Sequence, residues 1–202
     1  MTRMNKQLVV DHWCHASRLE GVDHTRGTQA ATEQSKAFLQ TLMDLIDIEQ
    51  ARYRYLAQRI CDVYWEHNIA HRTDQTEGYP GHHGCRVRLR GRKLELSWYY
   101  NSFVPKEGGT GHAVYSEHIS KEGQYRYFKS AFARAQDWEN PVIADIEDGF
   151  ELIRRLNANL TQLRRTLKSS VRLLAELEAY LEEILAPLAR AAAYAEKQRQ
   201  AQ

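Results

Sequence analysis

The sequence predicts an α+β protein: two long helices that pack antiparallel, with a small three-stranded antiparallel sheet between them in sequence. Three observations predict it. Apolar residues recur at spacings of three and four from Thr32 to His67, apolar and charged residues alternate from Cys85 to Tyr100, and a leucine-rich heptad runs from Ile153 to Leu188. The first and third are helical periods, and the second is the two-residue period of a half-buried strand.

Residues 1–30 carry few periodic apolar positions and several small or polar ones, among them Gly21, Thr25, Gly27 and Thr28. That composition describes a mobile N-terminal arm with a short helix near Leu8 to His15. A helix over 32–70 follows, with Phe38, Leu42, Leu45, Ile46, Tyr53, Leu56, Ile60, Val63 and Tyr64 as its apolar stripe. The stretch from Thr73 to Gly81 is turn-forming throughout and ends it. Within a sheet region at 84–128, strands are expected at Cys85 to Arg90, Lys93 to Phe103 and His112 to Ser120. They are joined by a tight turn near Gly91 and a glycine-rich loop from Lys106 to Gly111.

The last helix, over 140–186, has Asn140 as an N-cap, Pro141 in its first turn, and Asp145, Glu147 and Asp148 where the helix dipole favours negative charge. Ile153, Leu160, Leu167, Leu174, Leu181 and Leu188 fall on one heptad position. Leu156, Leu163, Leu177 and Ile184 fall on the other, with Ser170 as the lapse. Two partners fit this 153–188 seam: the first long helix, or a second copy of the chain in a homodimer. Pro187 should kink or end the helix, leaving 189–202 as a frayed tail, so that 31–188 form a single composite domain.

Charge is distributed unevenly. The net charge is +2, yet residues 81–106 hold six Lys or Arg against the single acid Glu95. Strand alternation puts Arg86, Arg88 and Arg90 on one face and Val87 and Leu89 on the other, with Arg92 and Lys93 at the turn. A solvated strand shows the same alternation. Its single sign of charge, however, calls for a compensating polyanion, because like charges side by side repel. A ribbon of this kind can enter a major groove or lie along phosphates. Lys106, Arg126 and Lys129 extend the patch, and Arg164, Arg165 and Lys168 offer a possible second basic surface. Tyr125, Tyr127 and Phe128, interleaved with cations, are candidates for base stacking.

Other chemistries find little support. No apolar run is long enough to cross a bilayer, the first residues lack a signal-peptide core, and three cysteines (Cys14, Cys61 and Cys85) show no disulfide framework. A cytoplasmic protein with reduced thiols is expected. His12-Trp13-Cys14-His15 and the group His71, His82, His83 and Cys85 lack paired metal-ligand spacing, so neither metal nor cofactor is expected. Tyr99 and Tyr100 lack the histidine cluster that a DNA-cleaving tyrosine needs, and no enzyme is expected.

Four segments together resemble the MobI family of accessory conjugative-transfer proteins. They are Gly84-Cys85-Arg86-Val87-Arg88, Leu94-Glu95-Leu96-Ser97-Trp98-Tyr99, Tyr125-Arg126-Tyr127 before Ser130-Ala131-Phe132, and Trp138-Glu139 leading into Ile146 to Arg155. The resemblance runs from about Gly81 to Leu167. It implies action at the origin of transfer, on double-stranded DNA, helping the relaxase or other relaxosome proteins engage it without being the relaxase. The alternatives are a coiled-coil scaffold that binds no nucleic acid, and an RNA-binding protein.

Overall fold

The computed structural model describes residues 6–18, 24–75, 79–106, 108 and 111–200. In chain order these form α1 (Lys6–Ala16), α2 (His24–Asp74), β1 (His83–Arg90), β2 (Lys93–Pro105), β3 (His112–His118), a short 3-10 turn (Lys129–Phe132) and α3 (Glu139–Gln200). The fold is α+β, with the three-stranded antiparallel sheet between α2 and α3 in sequence, as the periodicities predict. The chain divides into two compact units, residues 44–165 and residues 1–43 with 166–202.

In the unit of residues 44–165 the strand order is β1-β2-β3. Gly91, with φ of 57°, takes the first central position of the β1–β2 turn, where a II′ hairpin needs a residue free to adopt positive φ. The hairpin register pairs Gly84 with Tyr99, Arg86 with Ser97, Arg88 with Glu95 and Arg90 with Lys93. β3 pairs only with Tyr99 to Pro105, so the first half of β2 has β1 on one side and no strand on the other.

The inner face of the sheet carries Cys85, Leu94, Leu96 and Trp98, all buried. Trp98 is central: its ring lies 5.2 Å from Tyr64 of α2, 5.3 Å from Phe132 and 6.1 Å from Phe150 of α3. The face that α2 turns inward differs from the predicted stripe. Ile46 and Tyr64 are buried as expected, but Leu45, Leu56 and Val63 are exposed, and Gln50, Ala57, Cys61 and Asn68 take buried positions instead. Small side chains there let the sheet approach closely, and the Cys61 and Cys85 thiols, both free, meet at 3.2 Å. Burial pushes the Cys85 thiol pKa up.

Within this unit α2 and α3 run antiparallel. Asp47 meets Arg164, Gln50 meets Asn157, Ile60 meets Gly149 and Tyr64 meets Glu139. Two buried carboxylates on α3 tie the elements together. Glu139 accepts the backbone N–H groups of His83 and Gln136 and the Tyr64 hydroxyl, each at 3.0 Å. Glu147 accepts the Trp98 indole N–H at 2.7 Å, the Tyr127 N–H at 2.8 Å and both terminal nitrogens of Arg154. α3 starts at Glu139, so Asn140 lies inside its first turn rather than capping it. Its side-chain amide donates to the Gln136 carbonyl.

In the unit of residues 1–43 and 166–202, the start of α2 runs antiparallel to the end of α3. Lys36 pairs with Glu178 at 2.5 Å, and Thr28 and Thr32 lie beside Leu181 and Leu185. α2 begins eight residues before the predicted start, and α1 covers the short helix expected near Leu8 to His15. The remaining expectations for the arm at 1–5 and 19–23 lie outside the described residues. α3 runs through Pro187 to Gln200 rather than ending near 186. A proline removes one backbone hydrogen bond and crowds the carbonyl four residues before it, a local cost, and the alanine-rich sequence after it favours helix. Half of the heptad finds an intrachain partner. Leu174 and Leu181 are partly buried, whereas Leu177 and Ile184 are exposed, as are Leu156 and Leu163 in the other unit.

Candidate nucleic-acid interface

The outer face of the hairpin is built by the pleat alone. Because the odd positions of β1 and the even positions of β2 point into the core, Arg86, Arg88 and Arg90 share the opposite face with Lys93, Glu95, Ser97 and Tyr99. Tyr99 folds over Gly84, where a Cβ would stand 2.6 Å from its ring. The Arg86 guanidinium sits 5.6 Å from the same ring and donates from Nε to Ser97 Oγ at 3.3 Å, which fixes its direction. Arg88 and Arg90 are exposed. Glu95 is the one acid on the face. The hydrogen bond from Lys93 at 2.9 Å, then Arg90 at 3.8 Å and Arg88, hold its carboxyl below the usual range against the effect of burial. Arg88 itself makes no ion pair among the described residues. Four cations against one carboxylate leave this face positive.

Beside it lies an open groove of about 920 Å³. Its floor is the strandless side of β2 from Leu94 to Ser97, one wall carries Arg86, Arg90 and Lys93, and the other is α3 from Asn157 to Arg165. Lys121, Gln124 and Tyr125, from the segment after β3, close one end. Lys121 donates to the Gln124 carbonyl; burial, and then the neighbouring Arg154, hold its ammonium pKa below the ordinary value. Lys121, Gln124 and Asn157 carried no sequence signal, because each is an isolated polar residue brought to the groove by tertiary folding. Arg165 was visible as part of the basic block on α3.

The other predicted contacts separate. Arg92 remains at the turn, but its guanidinium lies 3.4 Å from Asp47 and its carbonyl accepts Gln50 Nε2. Arg126 is held by Asp148 at 2.6 Å and Glu151 at 3.0 Å, so it does not extend the patch as a free cation. Lys106 is exposed at the far end of β2, roughly 40 Å of strand from Lys93 at the usual rise. Lys129 is exposed on the 3-10 turn and lines a different cavity, with Phe128 and Pro141. Arg164 is not a surface residue: it is 6% exposed and bonded to Asp47 at 2.5 Å. Arg165 and Lys168 are exposed, Arg165 on the groove and Lys168 in the other compact unit. Of the candidate stacking aromatics, Tyr127 is buried in the core, Tyr125 is half-buried at the groove and Phe128 is exposed.

The histidines of the 71–85 group are engaged elsewhere. His71 stacks on Trp138 at 4.2 Å, His82 bonds the Asn101 carbonyl through Nδ1, and buried His83 faces Glu139. Among the described residues no cluster of His, Cys, Asp or Glu has the arrangement of a metal site, and no helix is long and apolar enough to cross a membrane. Tyr100 lies under the Arg134 guanidinium, 3.7 Å from its ring centre.

The family model described as MobI protein matches residues 53–168, more than half of the chain. The chain belongs to the MobI family. The match takes in the hairpin, the groove and the buried carboxylates, and it reaches back into α2 as far as Tyr53, beyond the stretch that the short motifs mark out. Membership places the chain among mobilisation proteins. No curated protein and no solved structure matches it.

Proposed function

We propose that this MobI-family protein is a non-catalytic accessory factor of conjugative transfer that binds duplex DNA at the origin of transfer and helps the relaxase engage it. The observation that carries this reading is the outer face of β1–β2. Arg86, Arg88, Arg90 and Lys93 project together from a rigid hairpin, with only Glu95 to offset them. Arginines on such a ribbon reach phosphates or guanine edges, and packing of the opposite face around Trp98 fixes their spacing. The test is fluorescence anisotropy with two labelled duplexes, the element's own transfer-origin region and a scrambled one, at two salt concentrations. Tight binding that favours the origin and survives about 150 mM salt supports the reading. Equal binding to both that vanishes with salt sinks it.

A specific observation favours self-association as well. In the unit of residues 1–43 and 166–202, α3 exposes Leu173, Leu177, Tyr180 and Ile184, a ridge at helical spacing that its intrachain partner leaves uncovered. A second copy of the chain is the simplest cover, and a homodimer would present two cationic hairpins to one DNA site. Sedimentation of the full chain across a range of concentrations tests this, and a monomer throughout excludes it.

A further inference from the structure

We propose that the groove along β2 takes a single, unpaired DNA strand, so that the protein prefers a duplex containing a melted segment. The inference rests on the duplex-binding reading and deepens it. The floor comes first. The Trp98 carbonyl accepts the Ile119 N–H and the Leu96 carbonyl accepts Arg154, so the backbone groups of these even-numbered residues point away from β1. Leu94 must orient the same way. With both of those carbonyls engaged, the open edge offers the N–H and carbonyl of Leu94 and the N–H of Leu96. That is too short a ladder for an added peptide strand, and Arg154 blocks its continuation.

The walls favour a nucleotide chain. Arg86, Arg90, Lys93, Lys121 and Arg165 line the groove against half-buried Glu95, while the Arg154 charge is matched by Glu147. Between these cations stand hydrogen-bonding side chains of the kind that read base edges, Gln124, Asn157 and Thr161. Tyr125 adds a half-buried ring whose partner is the Arg155 guanidinium, 6.0 Å from its centre. Cations along the backbone path with an aromatic platform among them are what binding of a single strand requires. A volume of about 920 Å³ is that of a large ligand cleft, with room for a few nucleotides of one strand and none for a turn of duplex.

Arg86 and Arg90 belong to both surfaces, since they stand on the outer face and on the groove wall. A strand leaving a duplex bound on the outer face therefore enters the groove without crossing neutral surface.

The test uses the full chain and four labelled probes: a paired duplex, the same duplex with a short unpaired segment at its centre, the single DNA strand, and that strand as RNA. Two variants separate the surfaces: Lys121→Ala/Arg165→Ala in the groove, and Arg88→Ala, which lies on the outer face and does not line the groove. The melted duplex should bind roughly tenfold more tightly than the paired one, a difference comparable to stacking of one base. Lys121→Ala/Arg165→Ala should erase that difference, and Arg88→Ala should weaken the paired duplex while leaving the single strand unchanged. Equal affinity for paired and melted duplexes overturns the proposal, as does a preference that survives the groove substitutions. Tighter binding of the RNA strand, or displacement of the DNA strand by polyglutamate at equal charge, overturns it too. If Arg88→Ala leaves paired-duplex affinity intact while the single strand still depends on Lys121 and Arg165, the duplex reading alone has failed.

Discussion

Arg88 on β1 and Arg154 on α3 lie in the same compact unit and in very different surroundings. Arg88 faces solvent beside Arg86 and Arg90 with no ion pair among the described residues. Arg154 is almost covered, binds Glu147 through both terminal nitrogens, and donates to the carbonyls of Tyr125 and Leu96. Arg164 with Asp47, and Arg126 with Asp148 and Glu151, follow the second pattern. The difference teaches where to look for function. α3 brings its own acids or meets those of α2, so its two covered arginines, Arg154 and Arg164, are engaged in holding the unit together. On the hairpin face one carboxylate serves four cations, and the remaining charge is available to a partner.

The sharpest way to break this comparison is Arg154→Ala. It leaves the buried Glu147 without its counter-charge, and removing one partner of a buried pair costs about 3–5 kcal/mol. Urea denaturation should show a loss of that order, and a loss below about 1 kcal/mol would mean that Arg154 is not a structural cation. The hairpin should respond in the opposite sense. Arg86→Ala/Arg88→Ala/Arg90→Ala should leave the urea midpoint nearly unchanged while DNA affinity falls by roughly 2–4 kcal/mol. The salt slope should flatten by up to about three units, one for each phosphate that the variant no longer neutralises. Unchanged affinity in a folded triple variant would remove these arginines from the interface.

This contrast also explains what could be read from the sequence. The hairpin face was legible down to individual residues, because a two-residue period assigns Arg86, Arg88 and Arg90 to one side without reference to anything distant. Arg164 was misread because its fate depends on Asp47, which lies on another helix 117 residues away in sequence. The same limit applies to α2. Its inner face is set by how close Cys85 and Trp98 come, which selects Ala57 and Cys61 over the more hydrophobic Leu56 and Val63. The groove was invisible for a related reason. It exists because β3 pairs with only half of β2 and Arg154 caps the rest, and neither event has a periodic signature.

Glu139 sharpens the structural side of the comparison through pH. Burial alone would push its pKa up. Hydrogen bonding from His83, the backbone N–H groups of Gln136 and His83, and the His83 charge outweigh that and hold it below the usual carboxylate range. A depressed folded-state pKa gives stability that is present above the unfolded value, about 4.3, and is lost as pH falls through the lower folded-state value. Glu139→Gln should therefore cost about 1–3 kcal/mol at neutral pH. The gap between variant and wild type should close as pH falls below about 4. A gap that stays constant with pH would mean that the site recognises shape rather than charge.

The smallest expected effect tests the hairpin from the other side. Glu95 is the one carboxylate on the cationic face, hydrogen-bonded to Lys93 and near Arg90 and Arg88. It competes with phosphate for these side chains, so Glu95→Gln should strengthen DNA binding, by about 0.2–1 kcal/mol as expected for an exposed ion pair, with no loss of stability beyond that range. The gain should be largest at low salt and fade as screening shortens the reach of the charge. A fall in affinity would mean that Glu95 orients the arginines rather than neutralising them. The face would then work as a fixed hydrogen-bonding array, with its specificity in base edges rather than in phosphates.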